Sequence, residues 1–244
     1  MVEILKNYSS PNFNERIEEV DTLVLHYTDM TTAEAAIERL CDIKSEVSAH
    51  YLIAENSAIY QLVDPYKRAW HAGLSKWRGR EKVNDFSIGI EIANPGHSCG
   101  YIHFPTEQMN SVIILAKQLI KQFNIKNENI VGHSDIAPSR KKDPGELFDW
   151  KILADNKIGY YHNLPQIAGK ILYNPGDNNM DILQIQKKLL QIGYFIEPTG
   201  MFDQLTTDVI IAYKRRFHQL NVDDNWDELC HASLEQLLKL YPEL

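Results

Sequence analysis

Cysteine is scarce in this chain: Cys41, Cys99 and Cys230 are the only three in 244 residues. An odd number at such wide spacing excludes a disulfide framework, and without a C-x-x-C pair there is no thiolate metal site to expect. Long apolar runs are missing too. None approaches the roughly 20 residues that a membrane-crossing helix needs, so no membrane span is expected. The opening MVEILKNYSSPNF has no basic segment followed by an apolar one, and the chain as it stands reads as cytoplasmic. A periplasmic or wall-associated protein is the alternative, should an export segment have been removed. Positive charge is in short supply: 25 basic residues face 33 acidic ones, a net charge of -8, which argues against nucleic acid as a partner. The H-E-x-x-H helix motif is absent as well, so nothing in the sequence fixes two metal ligands on one turn.

What is present is an ordinary globular composition, 44% hydrophobic and 24% charged, in a chain long enough for one domain and a smaller appendage. DTLVLHYT (21–28) reads as a buried strand with His26 near its carboxyl end. TTAEAAIERL (31–40) has a threonine cap and helical spacing, and AHYLIAENSAIYQLV reads as a hairpin turning at Glu55-Asn56-Ser57. FSIGIEIANPG supplies another strand, closed by Asn94-Pro95-Gly96. The stretch from Thr106 to Phe123 has helical period with Thr106 as its expected cap, and ENIVGH is a last short strand ending at His133. Strands interleaved with helices predict an α/β fold, a central sheet flanked by helices.

Composition changes after about residue 164. NLPQIAGKILYNPGDNN is rich in turn formers, so residues 165–175 read as a linker between a catalytic domain, 1–164, and a helical domain, 176–244. Three amphipathic stretches in that tail predict a small three-helix domain.

The chemistry concentrates in GHSDIAPSRKKDPG (132–145), a loop with one histidine, two aspartates and three consecutive basic residues between two prolines. Turn formers and charges are also what a plain solvated loop contains. His26 and His133 stand out among nine histidines because both end predicted strands, where side chains from different strands converge at one sheet edge. With Asp143 they make two imidazoles and one carboxylate, a donor set that suits a catalytic zinc ion.

LVLHYT, VSAHYLI, RAWHAG, NDFSIGIEIANPG and GHSDIAPSRKKDPG occur in this order over roughly residues 20 to 155. Together they resemble the signature of type 2 zinc-dependent N-acetylmuramoyl-L-alanine amidases, a class similar to peptidoglycan recognition proteins, whose mixed central sheet is then the expected fold. The resemblance implies one zinc ion (Zn2+) per chain on His26, His133 and Asp143, with Glu91 as general base and Lys141 stabilising the oxyanion. It implies cleavage of the bond between N-acetylmuramic acid and L-alanine, with peptidoglycan or a muropeptide as the partner. Glu91 suits its role because it alternates with Ser87 and Gly89, small residues that leave room on that face. Arg140 and Lys142 read as solvated. His71 either contacts substrate or supports a ligand from behind, and Trp70 and Trp77 either line a groove or pack in the core. His50 reads as structural. Lys82 stands where many relatives carry a carboxylate-binding arginine; it keeps the charge and loses the bidentate fork.

The tail resembles a three-helix peptidoglycan-binding domain, most specifically in TGMFDQLT (199–206), with Lys214 in place of the usual glutamine. A packing or dimerisation unit is the alternative, and the oligomeric state stays open. Because the tail carries none of the proposed site residues, its deletion is expected to spare hydrolysis of a small soluble muropeptide. Two further readings stand beside the enzyme: a non-catalytic recognition module, which the loss of a ligand would favour, and a metal-dependent nuclease or peptidase.

Overall fold

The run Thr22–Tyr27 is a strand with all six residues buried. Apolar side chains on both faces require cover on both sides, which is the setting of parallel strands. The computed structural model describes residues 3–165 and 169–242, and its main sheet has six strands. In chain order these are β1 (Ile4–Leu5), β2 (Thr22–Tyr27), β3 (Tyr51–Ile53), β4 (Ile59–Gln61), β5 (Ser87–Ile92) and β6 (Ile130–Gly132). Their spatial order is β1-β4-β3-β5-β2-β6. Neighbours are parallel except β3 and β4, the expected hairpin, where Ser57 takes a φ of 71°. The sheet is therefore mixed, in the α/β class that the sequence predicts.

Helix α1 (Ala33–Cys41) starts where the sequence places it: the Thr32 hydroxyl accepts the Ala35 N–H at 3.2 Å. Helix α2 (Thr106–Phe123) buries Met109, Val112, Leu115, Ala116 and Leu119 in one cluster with Leu23, Leu25, Ile88 and Ile90 of the sheet. Each of the larger side chains contributes about 1.5–3 kcal/mol, so a charge at Leu115 would break this layer. Thr106 is not the cap. Pro105 holds that position and its carbonyl accepts the Met109 N–H at 2.9 Å; a helix start has spare N–H groups, so a residue lacking one costs little there. β6 likewise ends one residue earlier than expected, and His133 opens the single-turn helix α3 (His133–Ile136); α4 (Trp150–Asp155) follows. Among the described residues, no helix is long and apolar enough to cross a membrane.

The tail forms the three expected helices, α5 (Met180–Ile192), α6 (Gln204–Phe217) and α7 (Glu228–Leu237). Asn179, Asp203 and Asp227 cap them with side-chain oxygens, each placed just before the periodic run begins. Lys214 is fully buried and pairs with Asp223, with the Asn225 side chain 3.1 Å away. Of the expected linker 165–175, residues 166–168 lie outside the described residues, while Ile171–Tyr173 form a ladder with Trp226–Asp227.

The tail is not a detached module. Val24 of β2, Val131 of β6, Trp77, Phe86 and Ile136 belong to one contiguous buried cluster with Ile185, Tyr194, Val209, Tyr213 and Trp226. Trp77 is core, not groove: its indole N–H donates to the Glu128 carbonyl at 3.1 Å and its ring meets Tyr194 edge-on at 5.5 Å. The expectation that the tail could be deleted without harm to soluble-substrate hydrolysis thus loses its premise, because apolar surface of the catalytic part would be bared to water.

A candidate metal centre at the carboxyl edge of the sheet

β2 and β5 run parallel with His26 opposite Glu91, Val24 opposite Gly89 and Thr22 opposite Ser87. Because strand side chains alternate, these six share one face, and the leucines and isoleucines between them face α2. On the other side of β2, Gly132 of β6 lies opposite Leu25, and His133 follows at once. Three strand ends therefore bring His26, Glu91 and His133 to one edge, the usual place for a site in an α/β sheet. The 132–145 loop then returns, and Ser134 N–H donates to the Asp143 carbonyl at 2.9 Å.

His26 Nδ1, His133 Nδ1 and Asp143 Oδ2 converge at separations of 2.9, 2.9 and 3.0 Å, all on buried residues. Which of these atoms carry protons follows from their outer partners. Ser87 Oγ donates to the Val83 carbonyl at 2.6 Å, so it accepts from His71 Nε2 at 3.1 Å. His71 Nδ1 is then an acceptor, and His26 Nε2–H donates to it at 3.0 Å. His133 Nε2–H donates to the Ala72 carbonyl at 3.1 Å. Both Nδ1 atoms are left as lone pairs facing a carboxylate oxygen. Three inward lone pairs at hydrogen-bond distance lack a proton to share and repel one another; a cation resolves this, and a borderline-soft divalent metal matches two nitrogens and an oxygen.

Burial, and then the charge of His133, push His26 down to about 4, so it is neutral. Burial opposes ionisation of Asp143, yet positive charge at the two imidazoles, His133 first, outweighs it and holds the carboxyl well below its ordinary value; with both Nδ1 atoms unprotonated, that charge has to come from a cation between them. Glu91 behaves oppositely: burial, and then the negative charge of Asp143, raise it well above the usual carboxyl range. Its Oε2 is buried without a hydrogen-bond partner among the described residues.

Two glycines make this packing possible. A Cβ on Gly89 would lie 2.4 Å from His71 Cγ, so only glycine lets that ring rest on β5. A Cβ on Gly132 would lie 2.7 Å from Pro144 Cδ, next to Asp143, one of the three converging donors.

The centre lies in a cleft of about 370 Å³ lined by His26, His133, Asp143, Glu91, Lys141, His71 and Trp70, among others. His71 also holds the back of His26, as described. Lys82 lies elsewhere: it is exposed, with a φ of 58°, and does not line the cleft. The lining cations are Arg39, Arg140, Lys141 and Lys142. Arg140, expected to be solvated, is exposed yet committed: its Nη2 donates to the Ala72 and Leu74 carbonyls, at 2.6 Å each. Sequence reasoning passed over Asp29, Arg39, His97 and Ser98, which also line the cleft. Asp29 accepts from the Ser98 N–H at 3.0 Å and from its hydroxyl at 2.7 Å, clasping the loops after β2 and β5. The strand-end logic that singled out His133 applies equally to Asp29 and His97; Arg39, at the far end of α1, leaves no comparable signal.

Among the described residues a second cluster, His218, Asp227 and Cys230, lies in the tail. There the Lys214 ammonium, 3.7 Å from Asp227 Oδ2, already supplies a cation.

Residues 16–146 match the N-acetylmuramoyl-L-alanine amidase family, and residues 178–234 match a peptidoglycan binding domain family. The chain is 36% identical to N-acetylmuramoyl-L-alanine amidase AmiD of Escherichia coli K12, over 91% of this chain and 83% of AmiD. The 1,6-anhydro-N-acetylmuramyl-L-alanine amidase AmpD of Haemophilus influenzae is 35% identical over 60% of this chain and 88% of its own. Among solved structures, AmiD in complex with anhydro-N-acetylmuramic acid-L-Ala-D-gamma-Glu-L-Lys superposes with a TM-score of 0.79 at 32% identity, covering 98% of this chain and 94% of AmiD. AmpDh3 of Pseudomonas aeruginosa, in complex with anhydromuramic pentapeptide, gives 0.78 at 29% identity, over 99% of this chain and 100% of AmpDh3. With the family match spanning more than half of the chain and the AmiD likeness nearly all of it, the protein belongs to the N-acetylmuramoyl-L-alanine amidase family.

Proposed function

We propose that the protein hydrolyses the amide between N-acetylmuramic acid and L-alanine in anhydro-muropeptides, using one zinc ion per chain on His26, His133 and Asp143. The observation that carries this reading is the convergence of three unprotonated donors beside Glu91 in one cleft. Zinc, when bound, supplies Lewis acidity toward the amide carbonyl and a water molecule. Glu91 accepts the proton of the attacking water and returns it to the departing amine. A carboxyl raised by burial is suited to that exchange near neutral pH. Lys141 sets an ammonium in the cleft where negative charge develops on the carbonyl oxygen. Trp70 and His71 form part of the wall against which substrate lies, and His71 also orients His26 through the Ser87 hydroxyl. We assign residues 1–164 to catalysis and 176–244 to a docked unit that holds the glycan polymer.

Metal analysis of the parent and of His26→Ala tests the centre, together with mass spectrometry of products from a soluble anhydro-muropeptide. The parent should carry one zinc and release the free peptide from the anhydro sugar; His26→Ala should lose both. Full zinc occupancy in that variant would refute the ligand assignment.

A further inference from the structure

Asp135 lies two residues beyond the ligand His133 and is almost wholly buried, at 1% exposure. Its Oδ2 accepts the Gly132 N–H at 2.7 Å and Arg216 Nη1 at 2.8 Å, and its Oδ1 accepts the Tyr194 hydroxyl at 2.6 Å. Arg216 Nη2 also donates to the Ile130 carbonyl at 2.9 Å. Tyr194 and Arg216 belong to the tail, and each is 1% exposed. Two tail side chains thus grip both ends of the segment that presents His133: the strand before it and the aspartate after it.

We propose that Arg216 and Tyr194 are positioning residues for the metal centre, acting through Asp135 on His133; the inference rests on the zinc reading above. General cohesion does not require this arrangement, because a buried ion pair is no more stabilising than apolar residues of the same volume, and the surrounding cluster is already apolar. What the pair adds is direction. Asp135 fixes the Gly132 N–H, and Gly132 packs so closely on Pro144 that a displacement there reaches Asp143 as well. One tail arginine therefore sets two of the three ligands. Outer partners of metal ligands typically change metal affinity by about 10–100-fold when removed.

The test measures zinc affinity by chelator competition in the full-length parent, Arg216→Met, Arg216→Lys, Tyr194→Phe and Leu234→Ala. The last removes a tail core side chain that makes no contact with Asp135 by hydrogen bond or charge, and it controls for lost stability. Measurements are made well below each melting temperature, with circular dichroism confirming the fold. Arg216→Met should bind zinc at least about tenfold more weakly, Arg216→Lys should recover part of the loss, and Leu234→Ala should stay within twofold of the parent. Parental affinity in folded Arg216→Met overturns the inference, as does an equal loss in Leu234→Ala. If Arg216→Met does not fold, Tyr194→Phe decides: a loss of about threefold or more supports the inference and parental affinity overturns it. A parent that binds no zinc sinks the zinc reading and this inference together, whereas a zinc-binding parent matched by Arg216→Met sinks this one alone.

Discussion

Acid should unfold this protein through His50. That imidazole is fully buried beneath the sheet edge: its Nδ1 accepts the Gly89 N–H at 3.0 Å, and its Nε2–H points to the Lys67 carbonyl at 3.0 Å. A proton on Nδ1 would set donor against donor at Gly89, in the strand that carries Glu91. Burial, and then the nearby Arg16 charge, lower the ring from 6.5 to about 3. Between those values the unfolded chain takes up a proton that the folded one refuses, so the stability contribution is complete above about pH 6.5 and is lost as pH falls toward about 3. At about 1.36 kcal/mol per unit, the loss reaches about 2 kcal/mol at pH 5 and about 5 kcal/mol over the whole window. Against a total of roughly 5–15 kcal/mol, the first figure alone is measurable: with a urea slope near 3 kcal/mol per molar it moves the midpoint by about 0.7 M. His26 and His71 are also lowered by burial and add to the slope, so the deciding quantity is a difference. His50→Asn keeps an acceptor for Gly89 and removes the titration. Urea unfolding with chelator present, at pH 7.5, 6.5, 5.5 and 5, should show the variant less stable at neutral pH but with a dependence shallower by up to about 1.4 kcal/mol per unit. Parallel slopes would mean that His50 does not refuse the proton, and the reasoning fails.

Replacing Glu91 with Gln should leave zinc content and melting close to those of the parent while lowering turnover by about 10²-fold or more; near-normal turnover in a steady-state assay would remove Glu91 from proton transfer. Gly89→Ala should displace His71, since a Cβ there would lie 2.4 Å from its ring, and zinc affinity should fall by about 10-fold. An unchanged chelator titration would show that His71 does not orient His26. Deleting the chain from residue 176 should abolish hydrolysis of a soluble muropeptide as well as of sacculi, because the apolar face shared by Val24, Trp77 and Ile136 loses its cover. A folded, active truncation, judged by circular dichroism and product analysis, would refute that.

Most of the sheet, the hairpin, α2 and the three tail helices were legible because each rests on local pattern: alternation in β3 and β4, helical spacing in α2, amphipathic spacing in the tail. His26 and His133 were legible by strand-end logic, since strand ends share an edge once the strands are parallel, whereas Glu91 was legible from the resemblance and its small neighbours Ser87 and Gly89. Thr106 misled because cap preference ignores the neighbouring Pro105, which fits a helix start equally well. Trp77 stayed open between two readings, and Asp135 and Arg216 stayed silent, for a different reason. Trp77 donates to a carbonyl 51 residues away, and Asp135 and Arg216 are 81 residues apart across the two parts of the chain; no local period records such a meeting. Arg140 is exposed, as a run of three basic residues suggests, but its hydrogen bonds to the Ala72 and Leu74 carbonyls were not legible because those belong to another loop.

The chain of hydrogen bonds from Val83 through Ser87 and His71 to His26 runs in one direction only. Each member passes its single proton outward, away from the three donors, and the Val83 carbonyl at the far end cannot send one back. Moving the proton of either ring to its other nitrogen would require the bonds beyond it to reverse, which that carbonyl forbids. The orientation of His26 is therefore settled by main chain that never meets the reactants. A metal bound there would meet a site that needs little reorganisation, so the free energy of capture would go into coordination and not into turning imidazoles.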